Sequence, residues 1–164
     1  MSLAYESLLR PGSGSPVHEP AEPSSESSLE VTVVFTTVEA TLAALREAGA
    51  VAHRLGGRIT LVVTQIVPYP LPLTSPPVLI DWNERRLRVL AADSPVEMKV
   101  LVYLCRDQLD ALLVKLRPHS IVVLGSRKRW WPNGEKRLAK SLRRAGHEVI
   151  FKETEKSQCS TYSI

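Results

Sequence analysis

The chain has 164 residues, 44% of them hydrophobic, which suits one soluble domain built around one core. Its two cysteines, Cys105 in an apolar run and Cys159 in a polar tail, are too few and too far apart for a disulfide framework or a CxxC metal or redox site, and they fit a reducing cytoplasm. The opening MSLAYESLLRPGSG lacks the basic start and apolar run of a signal peptide, and no window approaches the roughly 18 apolar residues of a membrane span, so a cytoplasmic protein is expected.

The net charge of +4 is unevenly spread. Residues 1 to 30 set Arg10 against Glu6, Glu19, Glu22, Glu26 and Glu30. Residues 127 to 144 set Arg127, Lys128, Arg129, Lys136, Arg137, Lys140, Arg143 and Arg144 against Glu135 alone. Charge concentrated in this way points to an anionic partner at that place, or to a solvated basic helix face.

Along the chain, PGSGSPVHEPAEPSSESS (11 to 28) contains almost nothing to bury and could not offset the entropy of ordering. Residues 1–29 are therefore expected to form a disordered leader. From Val31, VTVVF reads as a strand covered on both faces. Residues 38 to 55 place Leu42, Leu45, Ala48, Ala52 and Leu55 at helical spacing, with Gly56-Gly57 as the stop. RITLVVTQIV is the second strand, and five prolines between Pro68 and Pro77 exclude regular structure beyond it. NERRLRVLAA predicts a short helix before Ser94-Pro95.

MKVLVYLC is the third strand. Asp107 reads as the N-cap of a helix carrying a Leu109, Leu112, Leu113, Leu116 stripe, which Pro118 ends. IVVLG and EVIFK are the fourth and fifth strands, flanking a basic loop and a helix with Leu138, Leu142 and Ala145 on one side. Alternating strands and helices predict an α/β fold with a mainly parallel, doubly wound sheet and helices on both faces. Its domain spans residues 30–153, followed by a polar tail, residues 154–164.

The loop SRKRWWPNG opens at the C-terminal end of the fourth strand, where open α/β sheets bind ligands. The candidate anion site is Gly125, Ser126, Arg127, Lys128, Arg129, Asn133 and Gly134, with Thr36 or Thr37 offering a hydroxyl from the facing strand end. Trp130 and Trp131 suit base stacking or a lipid interface, or fold down over the sheet end. No catalytic constellation is apparent. Ser126 lacks the flanking glycines of a nucleophile elbow. His53, His119 and His147 lack metal-ligand spacing, and Asp107 and Asp110 are explained by helix capping.

The Ala-rich first helix running into LGGRITLVV, the long loop after the second strand, HSIVVLGSR, and KRLAKSLRRAGHEVIF together resemble the universal stress protein family over roughly Glu30 to Lys152. The resemblance implies a five-stranded sheet in order 3-2-1-4-5, a homodimer formed through the last strand and, in one branch, ATP between the ends of the first and fourth strands. That branch carries an Asp after the first strand and a Gly, two residues, Gly, nine residues, Gly-Ser/Thr motif. Here Thr36 stands in the Asp position and Gly125 matches the first Gly. Lys128 replaces the second, and Gly134 is followed by Glu135 after too short a spacing.

The resulting expectation is a non-enzymatic binding or regulatory module without efficient ATP binding. The alternatives are a protein that binds ATP or another nucleotide through the basic loop, and a docking module for nucleic acid or an anionic membrane surface.

Overall fold

The computed structural model describes residues 29–74, 98–128 and 134–154, together with the main chain of 3–9. Five parallel strands carry the fold. They are β2 (Glu30–Val34), β3 (Arg58–Ile66), β4 (Met98–Cys105), β5 (Ile121–Arg127) and β6 (Glu148–Thr154). Their spatial order is β4-β3-β2-β5-β6, the 3-2-1-4-5 arrangement of a doubly wound α/β sheet. Among the described residues three helices pack on it: α1 (Val38–Leu55), α2 (Gln108–Lys115) and α3 (Gly134–Arg144).

One strand was not expected. Residues Leu3–Leu9 form β1, which pairs antiparallel with β4 from Leu3↔Leu104 to Leu9↔Met98. The leader composition begins only after Arg10, and LAYESLL ahead of it satisfies the main-chain groups that β4 would otherwise present at the sheet edge. The remainder of the expected leader, the predicted helix at NERRLRVLAA with Trp82, the Trp130-Trp131 pair and the tail from residue 155 lie outside the described residues.

The two faces of the sheet have separate cores. On the α1 face, Val31, Val33, Ile59, Leu61, Val100 and Val123 meet Ala44, Leu45, Ala48 and Ala52. Small side chains at 40, 44, 48 and 52 let the helix axis approach the sheet, while Leu55, assigned to the same stripe from spacing, is 55% exposed at the helix end. Thr37 caps α1 by accepting from the Ala40 N–H, and Gly56, with φ 62°, closes it in the left-handed conformation that costs glycine least.

The opposite face holds Val34, Val62, Leu124 and Val149 against Leu112, Leu138 and Leu142. Asp107 caps α2 as expected, accepting from Asp110 N at 2.9 Å. The helix is short, however, and of its predicted stripe Leu112 alone is fully buried. Leu109 and Leu116 are half-buried against the same core, and Leu113 is 40% exposed. Ala111 takes the inward position that spacing assigned to Leu113.

Candidate functional site

The C-terminal ends of β2 and β5 meet where the strand order reverses, and α1 begins there. Of the residues expected at this crevice, Thr36, Thr37, Gly125 and Arg127 are brought together. Thr36 Oγ1 donates to the Gly125 carbonyl at 2.8 Å, and the Thr36 N–H donates to Thr41 Oγ1 at 3.2 Å. Thr37 Oγ1 is occupied as the helix cap, at 3.4 Å from Ala40 N. Gly125 is buried under the first turn of α1, so closely that a β-carbon built there would stand 1.9 Å from the Ala40 carbonyl oxygen. In a phosphate loop a glycine lets main-chain N–H groups reach an anion; here it seats a helix.

The charges of the crevice are also matched internally. Arg127 pairs with Glu39 at 2.9 Å, both side chains more than half exposed, so the pair contributes under about 1 kcal/mol. Glu39 lies in the first turn of α1, where its carboxylate uses the positive end of the helix dipole that a phosphate would use.

Ser126 does not line the crevice. It is 1% exposed, and its main chain is held to β6 by Thr154 Oγ1, which donates to the Ser126 carbonyl at 3.2 Å. Lys128 is exposed and its N–H donates to the Thr154 carbonyl at 2.9 Å. Gly134 opens α3 with free space around its α-carbon. Arg129 and Asn133 lie outside the described residues.

At the other end of the sheet is a feature the sequence reading passed over. Lys99, Thr60 and Thr32 are aligned in cross-strand register on β4, β3 and β2, forming a polar row on the face covered by α2 and α3. The row floors a cleft of about 170 Å³ whose rim carries Lys115, Arg117 and Ser120 near the end of α2, with Glu30 at its edge. Thr60 Oγ1 donates to Glu30 Oε1, and Arg117 Nε lies 3.7 Å from Glu30 Oε2. The signal was present as single polar residues interrupting VTVVF, RITLVVTQIV and MKVLVYLC, but their alignment depends on register.

Beside the cleft, Ser120 Oγ and His147 Nδ1 are 2.9 Å apart. His147 is 7% exposed. Burial, and secondarily the neighbouring His119, lowers its pKa from the ordinary histidine value. The pair joins the starts of β5 and β6, alongside the Glu148 N–H donating to the Ser120 carbonyl at 3.1 Å. Among the described residues, no carboxylate hydrogen-bonds the second nitrogen of His147, so the orienting partner of a Ser-His-Asp arrangement is not in place. No three metal-ligating side chains cluster among the described residues, and no described helix is long and apolar enough to cross a membrane.

Compared with known proteins, the chain matches no family model, and no curated protein matches it at a significant level.

Proposed function

We propose that this chain is a binding or regulatory module of the universal stress protein type that does not use ATP at the strand ends. One observation carries the reading. The crevice where such a fold would hold a nucleotide is closed by its own groups, with Thr36 on the Gly125 carbonyl, Ala40 over Gly125, and Arg127 on Glu39. A nucleotide would have to displace α1 from its seat, and packed cores resist such displacement. Mass spectrometry of small molecules released from the denatured protein, together with calorimetric titration with ATP, tests this. Co-purifying nucleotide or saturable ATP binding would overturn it.

The same reading carries a homodimer formed through β6. That strand stands at the end of the sheet order, and a strand edge recruits another strand. A monomeric protein in light scattering at micromolar concentration would reject this association.

A second reading, docking on a polyanion, is favoured by the outer face of α3. Arg137, Lys140 and Arg144 are exposed and follow one another at helical spacing, and such a stripe would neutralise several phosphates at once. Binding to DNA, RNA and anionic vesicles that weakens steeply with salt would favour this reading. Affinity unchanged in an Arg137→Ala, Lys140→Ala, Arg144→Ala variant would reject it.

A further inference from the structure

The geometry points to the cleft at the N-terminal ends of β2, β3 and β4 as a binding site for a small phosphate-class oxyanion, either free phosphate or the phosphoryl group of a small monoester. It lies at the opposite end of the strands from the crevice between β2 and β5, and does not depend on what that crevice binds.

Charge is the first argument. Lys99, Lys115 and Arg117 line the cleft together with Glu30, so cationic side chains outnumber carboxylates among its described lining residues, which favours an anion. The carboxylate is itself engaged, accepting from Thr60 Oγ1 and lying beside Arg117, so it presents less repulsion to an incoming anion than an isolated carboxylate would. Lys115 is held near the cleft by its ammonium, 5.9 Å from the centre of the Tyr103 ring, within the range of a cation–π contact.

Thr32 supplies a second, independent argument. It is only 4% exposed, yet its hydroxyl forms no hydrogen bond among the described residues, and no sealed polar side-chain atom among them is left without a partner. Its oxygen therefore faces the cleft, which Thr32 lines. A hydroxyl in an otherwise apolar strand costs free energy unless it is hydrogen-bonded, and here it is aimed at the space the cations surround. Ser120 brings another hydroxyl to the wall.

Size sets the ligand class. A volume of about 170 Å³ resembles the cavities of about 150 Å³ that hold a benzene-sized molecule and falls below the 300 Å³ or more of drug-sized pockets. Phosphate fits, and so does a short monoester. A whole nucleotide exceeds this volume.

The test uses the full chain, with inorganic phosphate as the probe and melting temperature and calorimetry as the readouts. Phosphate should bind saturably below about 10 mM at low ionic strength and raise the melting temperature. Thr32→Val keeps the side-chain shape and Lys115→Met keeps most of its length. Each should weaken phosphate binding about tenfold, the usual loss for a hydrogen bond to a charged group. Arg46→Met removes one charge from exposed α1 surface and should leave binding unchanged. Tighter binding of glycerol phosphate than of phosphate would assign the site to a monoester, and the reverse order to the free ion; either supports the proposal. It is overturned if wild type shows no saturation, if both cleft variants bind like wild type, if Arg46→Met weakens binding as much as they do, or if ATP competes as well as phosphate.

Discussion

Replacing Gly125 by alanine would place a methyl carbon 1.9 Å from the Ala40 carbonyl oxygen and 2.5 Å from its carbon. The nearest comfortable carbon–oxygen approach is about 3.3 Å, so the first turn of α1 would have to retreat by roughly 1.4 Å, and the obstacle is main chain that cannot rotate away. Retreat would stretch the hydrogen bond from Thr36 Oγ1 to the Gly125 carbonyl, a loss of about 1 kcal/mol, and would open the contacts of Ala44 and Ala48 with the sheet. Overpacking in a close-packed interior costs about 1–3 kcal/mol. The sum is about 3 kcal/mol, equivalent to a fall of about 9 °C in melting temperature for a domain of this size. Urea unfolding followed by circular dichroism measures it through the midpoint at unchanged slope. A loss below about 1 kcal/mol would show that the helix is not seated on this glycine and would remove the argument for a closed crevice.

Other consequences follow from the same packing. Gly49→Ala, in the middle of α1 with nothing within 4 Å of the added carbon, should raise stability by about 1 kcal/mol; a destabilised variant would contradict the free space. Leu112→Ala empties a fully buried position and should cost about 2–5 kcal/mol in urea melts, with a loss below about 0.5 kcal/mol refuting the docking of α2. Because the pKa of His147 is lowered in the fold, the unfolded chain binds the proton more readily. This contribution to stability is intact above the ordinary histidine pKa and declines as pH falls through it toward the folded value. Melting temperatures of wild type and His147→Gln should therefore diverge at neutral pH and converge in acid, and parallel curves would refute the assignment. Burial first, and Asp107 second, raise the Cys105 pKa, so mass spectrometry should find Cys105 alkylated only when the protein unfolds; rapid labelling under native conditions would contradict its burial.

How far the fold could be read from sequence depended on whether its cause was local. The end of α1 was legible because Gly56 acts through its own neighbours, whereas Thr37, expected to offer a hydroxyl to a ligand, caps the start of the helix; β2, β3 and β5 announced themselves as β-branched runs buried on both faces. β1 was not legible, since LAYESLL becomes a strand only by finding the edge of β4. The crevice was half legible. Strand order placed Thr36 opposite Gly125, but the same glycine that suggested a phosphate loop turned out to seat a helix, and the pairing of Arg127 with Glu39 joins residues far apart in the chain. The polar row was written in three strands one letter at a time, and only register assembled it.

The pairing of β1 with β4 also sets an order of events during synthesis. Leu3 finds its partner at Leu104 and Leu9 at Met98, so the strand leaves the ribosome about 90 to 100 residues before the edge it joins exists. At about 5–20 residues per second, it waits some 5–20 s with its main-chain donors and acceptors satisfied by water. β2 and β3, by contrast, can pair as soon as the intervening helix is made. β1, translated ahead of the other described strands, is therefore among the last of them to be built in, and closing so long a loop is the slow kind of contact. A ribosome stalled before Met98 would carry a nascent chain whose N-terminal segment is still open to proteases, chaperones or the edge of another copy.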